Sequence, residues 1–420
     1  MQVTETKYLI IGNSAGGIAA AEAIRELDDV GTLTIVSDEP YPAYSRILIP
    51  KYLTGECDVA QTQLRSADFY TKNDINLLPG RKVVKLLLDS YVAQMENGEL
   101  ISFEKLLLAT GGNPIVPEME GLDKEGIFTF TKLDDVRAID KYLSGVIKAV
   151  VIGGGLIGTS ATEALIKRGI KVTVVEMMDR MLGAMLDEHA SSAVEKTMAD
   201  AGVSIATGHT VCSVVGDDRV ESVILDDDTE IPCQMLVVAI GVVPRIDLIR
   251  CMDINVERGI VVDLNMKTSH EDIYACGDVA EVHDFVRGTN RVIPIWPGAH
   301  FGGRIAGLNM AGSDTEYTGC TGMNTLSYFG LNIASGGIVN PPDDSYEVLT
   351  SNGDVNYQKL VLKDNKVAGM VFIGNIDKGG VLLNMMKDGV DTGDFKGQLI
   401  AENASGLTCL RWKLRSWAGR

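Results

Sequence analysis

The sequence predicts an α/β fold: two Rossmann-like domains, one inserted into the other, followed by an α+β C-terminal domain. Three observations carry this. The apolar run Tyr8-Leu9-Ile10-Ile11 leads into Gly12-Asn13-Ser14-Ala15-Gly16-Gly17, and Ala149-Val150-Val151-Ile152 leads into Gly153-Gly154-Gly155-Leu156-Ile157-Gly158. Each glycine turn is followed by a helix pattern and a second apolar strand. Each second strand then ends in an acid, Asp38 in the first case and Glu176 in the second.

Strand, glycine turn, helix, strand and carboxylate is the plan of a dinucleotide-binding half. The glycines permit a tight turn and close approach of the backbone, and the helix N-terminus offers N–H groups to a pyrophosphate. The first unit runs from about Lys7 to Leu27, where Ala19, Ala20, Ala21 and Ala23 let a helix lie close to a sheet. The next strand, Thr32 to Val36, leads to Ser37-Asp38-Glu39. Asp38 lies 21 residues after Gly17, and Glu176, closing Lys171-Val172-Thr173-Val174-Val175, lies 18 after Gly158. This is the spacing at which a carboxylate accepts from a ribose hydroxyl. Ser14 replaces the central glycine of the first turn and keeps the backbone near a phosphate.

Leu106-Leu107-Leu108-Ala109-Thr110-Gly111-Gly112 reads as a buried strand ending in a turn, and Leu236 to Pro244 repeats that pattern. In Ile273-Tyr274-Ala275-Cys276-Gly277-Asp278-Val279-Ala280, Asp278 stands at the start of what reads as a helix. From about Thr315 the runs Tyr357 to Leu362 and Val367 to Ile373 read as strands and Gly380 to Met386 as a helix. The expected domains are therefore 1–113 with 248–314, an inserted 114–247, and 315–420 with a basic tail.

At 420 residues the chain accommodates several domains, each with its own core. A formal charge of −19 argues against nucleic acid, whose binding is driven by lysine and arginine releasing counterions. The seven cysteines form no C-x-x-C and the five histidines no H-E-x-x-H, so no metal site is expected. Scattered thiols fit a reducing, cytoplasmic setting, and no apolar stretch is long enough for a membrane span.

Fingerprint, Ala109-Thr110-Gly111, second fingerprint, Gly241-x-x-Pro244 and Ala275-x-Gly277-Asp278, in that order, resemble the two-dinucleotide flavoprotein reductases. That group includes NADH oxidases, rubredoxin and ferredoxin reductases, and the flavin part of nitrite reductase. The resemblance implies an FAD domain with an inserted NAD domain and hydride transfer between nicotinamide and flavin N5. FAD would lie on Gly12, Ser14, Ala15, Gly16, Gly17, Asp38, Glu39, Arg46, Lys51, Ala109, Thr110, Gly111, Gly277 and Asp278. NAD(H) would lie on Gly153, Gly155, Leu156, Ile157, Gly158, Glu176 and Gly241. Glu176 favours NADH by repelling a 2′-phosphate, although Arg180 is near enough to keep NADPH open.

Many relatives carry a redox cysteine within the segment Tyr44 to Lys51. This chain has none there, and Ile47 falls near that position. The segment resembles ferredoxin-reductase-like members, which implies Arg46 against FAD and Lys51, the one candidate catalytic residue, near flavin N5. The glutamate that pairs with such a lysine in many relatives is matched here by Ser160, while Glu163 matches a structural glutamate. Electrons would then leave for another molecule. The stretches Tyr8 to Gly17, Ser37 to Arg46 and Val175 to Arg180 further resemble flavin subunits of 2-oxoacid (phenylglyoxylate-type) dehydrogenases. That resemblance implies iron-sulfur and thiamine-diphosphate partner subunits. The alternative is a free-standing NADH:ferredoxin or rubredoxin reductase, with a homodimer formed through the C-terminal domain. Cys276 and His300 are expected to pack rather than react, and Arg411, Trp412, Lys413, Arg415, Trp417 and Arg420 make a basic aromatic tail.

Overall fold

The computed structural model describes residues 3–352 and 356–400. The basic aromatic tail, Arg411 to Arg420, lies outside the described residues. Contacts divide the chain into two compact units. One comprises residues up to Ile49, Cys57–Asn113 and Val242–Thr321, and the other Pro50–Glu56, Pro114–Gly241 and the chain from Gly322 onward.

The first unit is built on a seven-stranded sheet. Its parallel part runs Ile75–Pro79, Leu33–Ser37, Val3–Ile11, Leu100–Leu108, with Ile273–Ala275 added beside Leu100–Leu108. Val92–Met95 and Val83–Leu87 extend it antiparallel. Leu33–Ser37 is buried at every position, as expected of a strand covered on both faces. The helix Ala15–Leu27 packs on this sheet and against the helix Trp296–Met310. Glycine makes that packing close: a Cβ at Gly303 would lie 2.1 Å from the Gly16 carbonyl oxygen, and one at Gly307 2.3 Å from that of Ala20.

The second unit holds a five-stranded parallel sheet in the order Ser204–Thr207, Lys171–Glu176, Lys148–Ile152, Met235–Val238, Ile127–Thr129. The helix Leu156–Lys167 follows its central strand. A three-stranded antiparallel sheet, Val211–Val215, Ser222–Leu225 and Glu230–Pro232, packs apolar residues against it. Beyond Gly322 comes a five-stranded antiparallel sheet ordered Met323–Tyr328, Leu331–Gly337, Lys366–Ile373, Tyr357–Lys363, Glu347–Asn352, with the helix Gly379–Lys387 on one face. The side chain of Asp187 joins this sheet to the helix Glu188–Asp200. It accepts from the Ala190 N–H at 3.1 Å and the Tyr357 hydroxyl at 2.5 Å, and pairs with the buried Lys359 at 2.9 Å.

One element departs from the sequence expectation. Asp278 does not open an α-helix: Gly277–Val279 is a single 3-10 turn, after which Ala280–Asp284 is a strand paired with Thr289–Val292. The buried Glu281 accounts for this. Its carboxylate accepts from the backbone N–H of Arg258 and Gly259, which holds the segment extended beside that loop.

Candidate functional site

The two fingerprints fold into the same geometry, each within its own unit. In the first, Gly12 N–H donates to Val36 O at 2.9 Å and Ala109 N–H to Ile11 O at 2.9 Å. In the second, Gly153 N–H donates to Val175 O at 2.8 Å and Ala239 N–H to Ile152 O at 2.8 Å. Gly12 and Gly153 hold φ of 123° and 105°, which only glycine adopts without strain. A Cβ at Gly17 would meet the Gly12 carbonyl at 2.0 Å, and one at Gly158 the Gly153 carbonyl at 1.8 Å. Each turn is thus compressed until the helix start lies over the end of its strand.

Neither helix is capped by a side chain: the N-cap residues are Ser14 and Gly155, and neither accepts from the first turn. Acidic residues are also absent from both first turns. Beside Gly155 an added Cβ would meet nothing within 4 Å. Uncapped N–H groups, a dipole end without a fixed anion and open space at Gly155 fit a pyrophosphate at each helix. The residues present therefore suit two dinucleotides.

In the first unit a cavity of about 480 Å³ opens at the carboxyl ends of the sheet. Gly12, Asp38, Thr110 and Arg245 are among its lining residues. Asp38 stands where the spacing placed it, and its Oδ2 accepts from Arg245 Nη1 at 2.7 Å. Glu39 is turned inward, accepting from the Tyr44 hydroxyl at 2.5 Å and pairing with Arg46. The segment carrying these residues is braced on the fingerprint: Asn13 Nδ2 donates to Tyr41 O at 3.3 Å, and the Tyr70 hydroxyl links the Ala43 N–H to Asn13 Oδ1. Burial raises the pKa of Asp278, and the nearby Arg46 opposes it. Gly277, at φ 75°, brings this turn against the helix Trp296–Met310. Cys276 is buried and packs against Gly16 and Gly302, with its thiol pushed up to about 12 by that burial. Ile47 is 65% exposed, and Cys57 faces Leu48 O at 3.8 Å.

In the second unit Glu176 turns its carboxylate onto the glycine loop. Oε2 accepts from Gly154 N–H at 2.5 Å and Oε1 from Met178 N–H at 2.7 Å. Arg180 lies beside Asp179, with Nε 3.6 Å from its carboxylate. Gly241, at φ 116°, ends the strand region after Met235–Val238, and its carbonyl accepts from Ile115 N–H at 3.0 Å. Lys51 is exposed on the short helix Ile49–Leu53. That helix is tied to the end of Leu156–Lys167, where Arg168 Nη1 donates to Leu53 O at 2.5 Å and Lys167 pairs with Glu56 at 3.0 Å.

Ser160 takes a partner that sequence reasoning missed. Its Oγ is 3.3 Å from the Tyr328 hydroxyl, which donates to Leu156 O at 3.1 Å. Tyr328 is buried, and burial pushes its hydroxyl up to about 12. In the same hairpin Phe329 N–H donates to Glu163 Oε1 at 3.2 Å. Among the described residues, one trio could ligate a metal, His209 with Asp226 and Asp227, at an exposed turn. No helix among them is long and apolar enough to cross a membrane.

The model of the pyridine nucleotide-disulphide oxidoreductase family matches residues 6–303, and that of the rubredoxin NAD+ reductase C-terminal domain matches residues 323–390. The chain is 30% identical over 404 residues to the NADH-dependent phenylglyoxylate dehydrogenase subunit epsilon of Aromatoleum evansii, covering 95% of this chain and 96% of that one. It is 29% identical to a nitrite reductase [NAD(P)H] of Bacillus subtilis over 92% of its own length, but spans only 48% of that relative. Among solved structures it is similar to the NADH:rubredoxin oxidoreductase of Clostridium acetobutylicum, with a TM-score of 0.76 and 26% identity over 94% of this chain and 98% of that one. It is also similar to a NAD-dependent persulfide reductase from A. fulgidus, with a TM-score of 0.88 and 25% identity over 98% and 84%.

Proposed function

This chain belongs to the pyridine nucleotide-disulphide oxidoreductase family, and we propose that within it the protein is the electron-transfer subunit of a multi-subunit 2-oxoacid dehydrogenase of the phenylglyoxylate type. The family's cofactors are FAD and NAD(H). FAD is assigned to the first fingerprint with Asp38, Arg46, Gly277 and Asp278, and NAD(H) to the second with Glu176. The segment 315–420 serves as the interface domain.

The observation that carries this reading is Ile47. With an exposed isoleucine near the position of a redox cysteine and no cysteine between Tyr44 and Lys51, the chain has no thiol there to accept electrons from the flavin. The bound cofactors supply hydride exchange between nicotinamide and flavin N5. The chain's own residues hold the two pyrophosphates at uncapped helix ends, orient the riboses through Asp38 and Glu176, and place the Arg46 cation near Asp278. The similarity to subunit epsilon along nearly the full length of both chains supports a place in a multi-subunit dehydrogenase, with the iron-sulfur and thiamine-diphosphate partners that the resemblance implies. A second reading, a free-standing NADH:rubredoxin reductase forming a homodimer, is favoured by the C-terminal match at residues 323–390.

Anaerobic purification of the native protein, followed by flavin bleaching with NADH and separately with NADPH, separates the two. Yellow protein bleached by NADH and accompanied by iron-rich subunits is expected. A homodimer that turns over rubredoxin without other subunits would replace the first reading with the second.

A further inference from the structure

Arg245 belongs to neither fingerprint, yet it is fixed at three points around the first. It lies 207 positions after Asp38 and directly follows Pro244. Its backbone N–H donates to Gly111 O at 2.9 Å, and its carbonyl accepts from Thr110 Oγ1 at 2.9 Å. From this clamp the side chain reaches Asp38, with Nη1 2.7 Å from Oδ2. The two side chains are 23% and 31% exposed, so the pair is partly shielded from water and from screening by salt.

We propose that Arg245 is a positioning residue for the adenosine half of FAD, orienting the Asp38 carboxylate toward the ribose and offsetting its repulsion of the pyrophosphate. The inference rests on the placement of FAD at the first fingerprint. The charge of the cavity supports it: Arg81, Lys82 and Arg245 face Asp38 and Asp247, three cations against two carboxylates on a chain of net charge −19. A dinucleotide with a dianionic pyrophosphate suits that local excess. The guanidinium geometry matters as well as the charge, because its planar fork fixes a carboxylate where an ammonium only attracts it. The site is completed late in the chain, by a residue that follows the whole of segment 114–241.

The test is titration of full-length apoprotein, freed of flavin, with FAD and with FMN, which lacks the adenosine. Arg245→Gln is expected to weaken FAD by about tenfold or more, the factor set by one hydrogen bond to a charged group, and to leave FMN unchanged. Arg245→Lys should recover part of the loss, and Arg245→Gln with Asp38→Asn should bind FAD no more weakly than Asp38→Asn alone. Equal weakening of FAD and FMN would mean that the backbone clamp, and not the side chain, matters, and would overturn the inference. So would FAD affinity equal to that of the parent. If Arg245→Gln fails to fold, the FAD-to-FMN ratio of Arg245→Lys decides in the same way. A parent protein that takes up no FAD at all would instead remove the placement on which the inference rests.

Discussion

Replacing Gly303 by alanine puts the backbone contact between Ala15–Leu27 and Trp296–Met310 under direct load. The added Cβ would lie 2.1 Å from the Gly16 carbonyl oxygen and 2.7 Å from the Gly16 Cα. Ordinary contact needs about 3.4 Å or more, so the two helices must separate by about 1.3 Å at this point. No flexible side chain can give way, because both obstructing atoms are backbone. Overpacking of this kind costs about 1–3 kcal/mol, a loss of several degrees in Tm. The displaced turn carries the Gly16 and Gly17 N–H groups that the proposed FAD site offers to the pyrophosphate, so flavin should also be lost on gel filtration. Scanning calorimetry and the flavin absorbance of the eluted protein measure both effects. Gly380→Ala is the control: it lies on the exposed side of Gly379–Lys387 with nothing within 4 Å of the new Cβ, and should be neutral or stabilising by up to about 1 kcal/mol. A Gly303→Ala protein that melts with the parent and keeps its flavin would refute the contact as described.

Asp187→Ala removes a helix cap and strands the buried Lys359, and should cost about 3 kcal/mol or more in denaturant unfolding. Glu176→Ser leaves the Gly154 and Met178 N–H groups without their acceptor. It should raise KM for NADH by about tenfold and shift preference toward NADPH in steady-state assays. Burial holds His300 below its ordinary pKa of 6.5, so the unfolded chain binds the extra proton first as pH falls. Stability therefore drops on acidification below about pH 6.5, levelling off beneath the folded pKa, and His300→Gln should flatten that part of the profile in thermal melts. Lys51→Ala, if the lysine charge supports the reduced flavin, should lower both the flavin potential and the rate of bleaching by NADH in stopped-flow measurements.

The parts of the fold that a local pattern specifies were legible in the sequence. An apolar run, a glycine turn and an alanine-rich helix placed Val3–Ile11 with Ala15–Leu27, and the same signal placed Lys148–Ile152 with Leu156–Lys167. Asp38 and Glu176 stood out as candidates because one follows and the other ends the second strand of its unit. Asp278 was placed but its context was misread, since the strand after it is set by Glu281 bonding to Arg258 and Gly259, more than 20 residues away. Arg245 and Tyr328 left no comparable trace. Each acts across a long sequence separation, Arg245 on Asp38 and Tyr328 on Ser160, 168 residues apart, and no periodicity records such a pairing.

Cys276 gives the protein an internal clock. The residue is 1% exposed, and its sulfur sits against Gly16, behind the glycine turn proposed to hold the FAD pyrophosphate. A thiol reagent can reach it only when Ala15–Leu27 and Trp296–Met310 come apart, and it must then find a thiolate that burial had suppressed. Its alkylation rate therefore counts openings of the nucleotide cradle. Any ligand that closes the cradle should slow that count in proportion to its grip, without a change in colour or turnover being needed to see it.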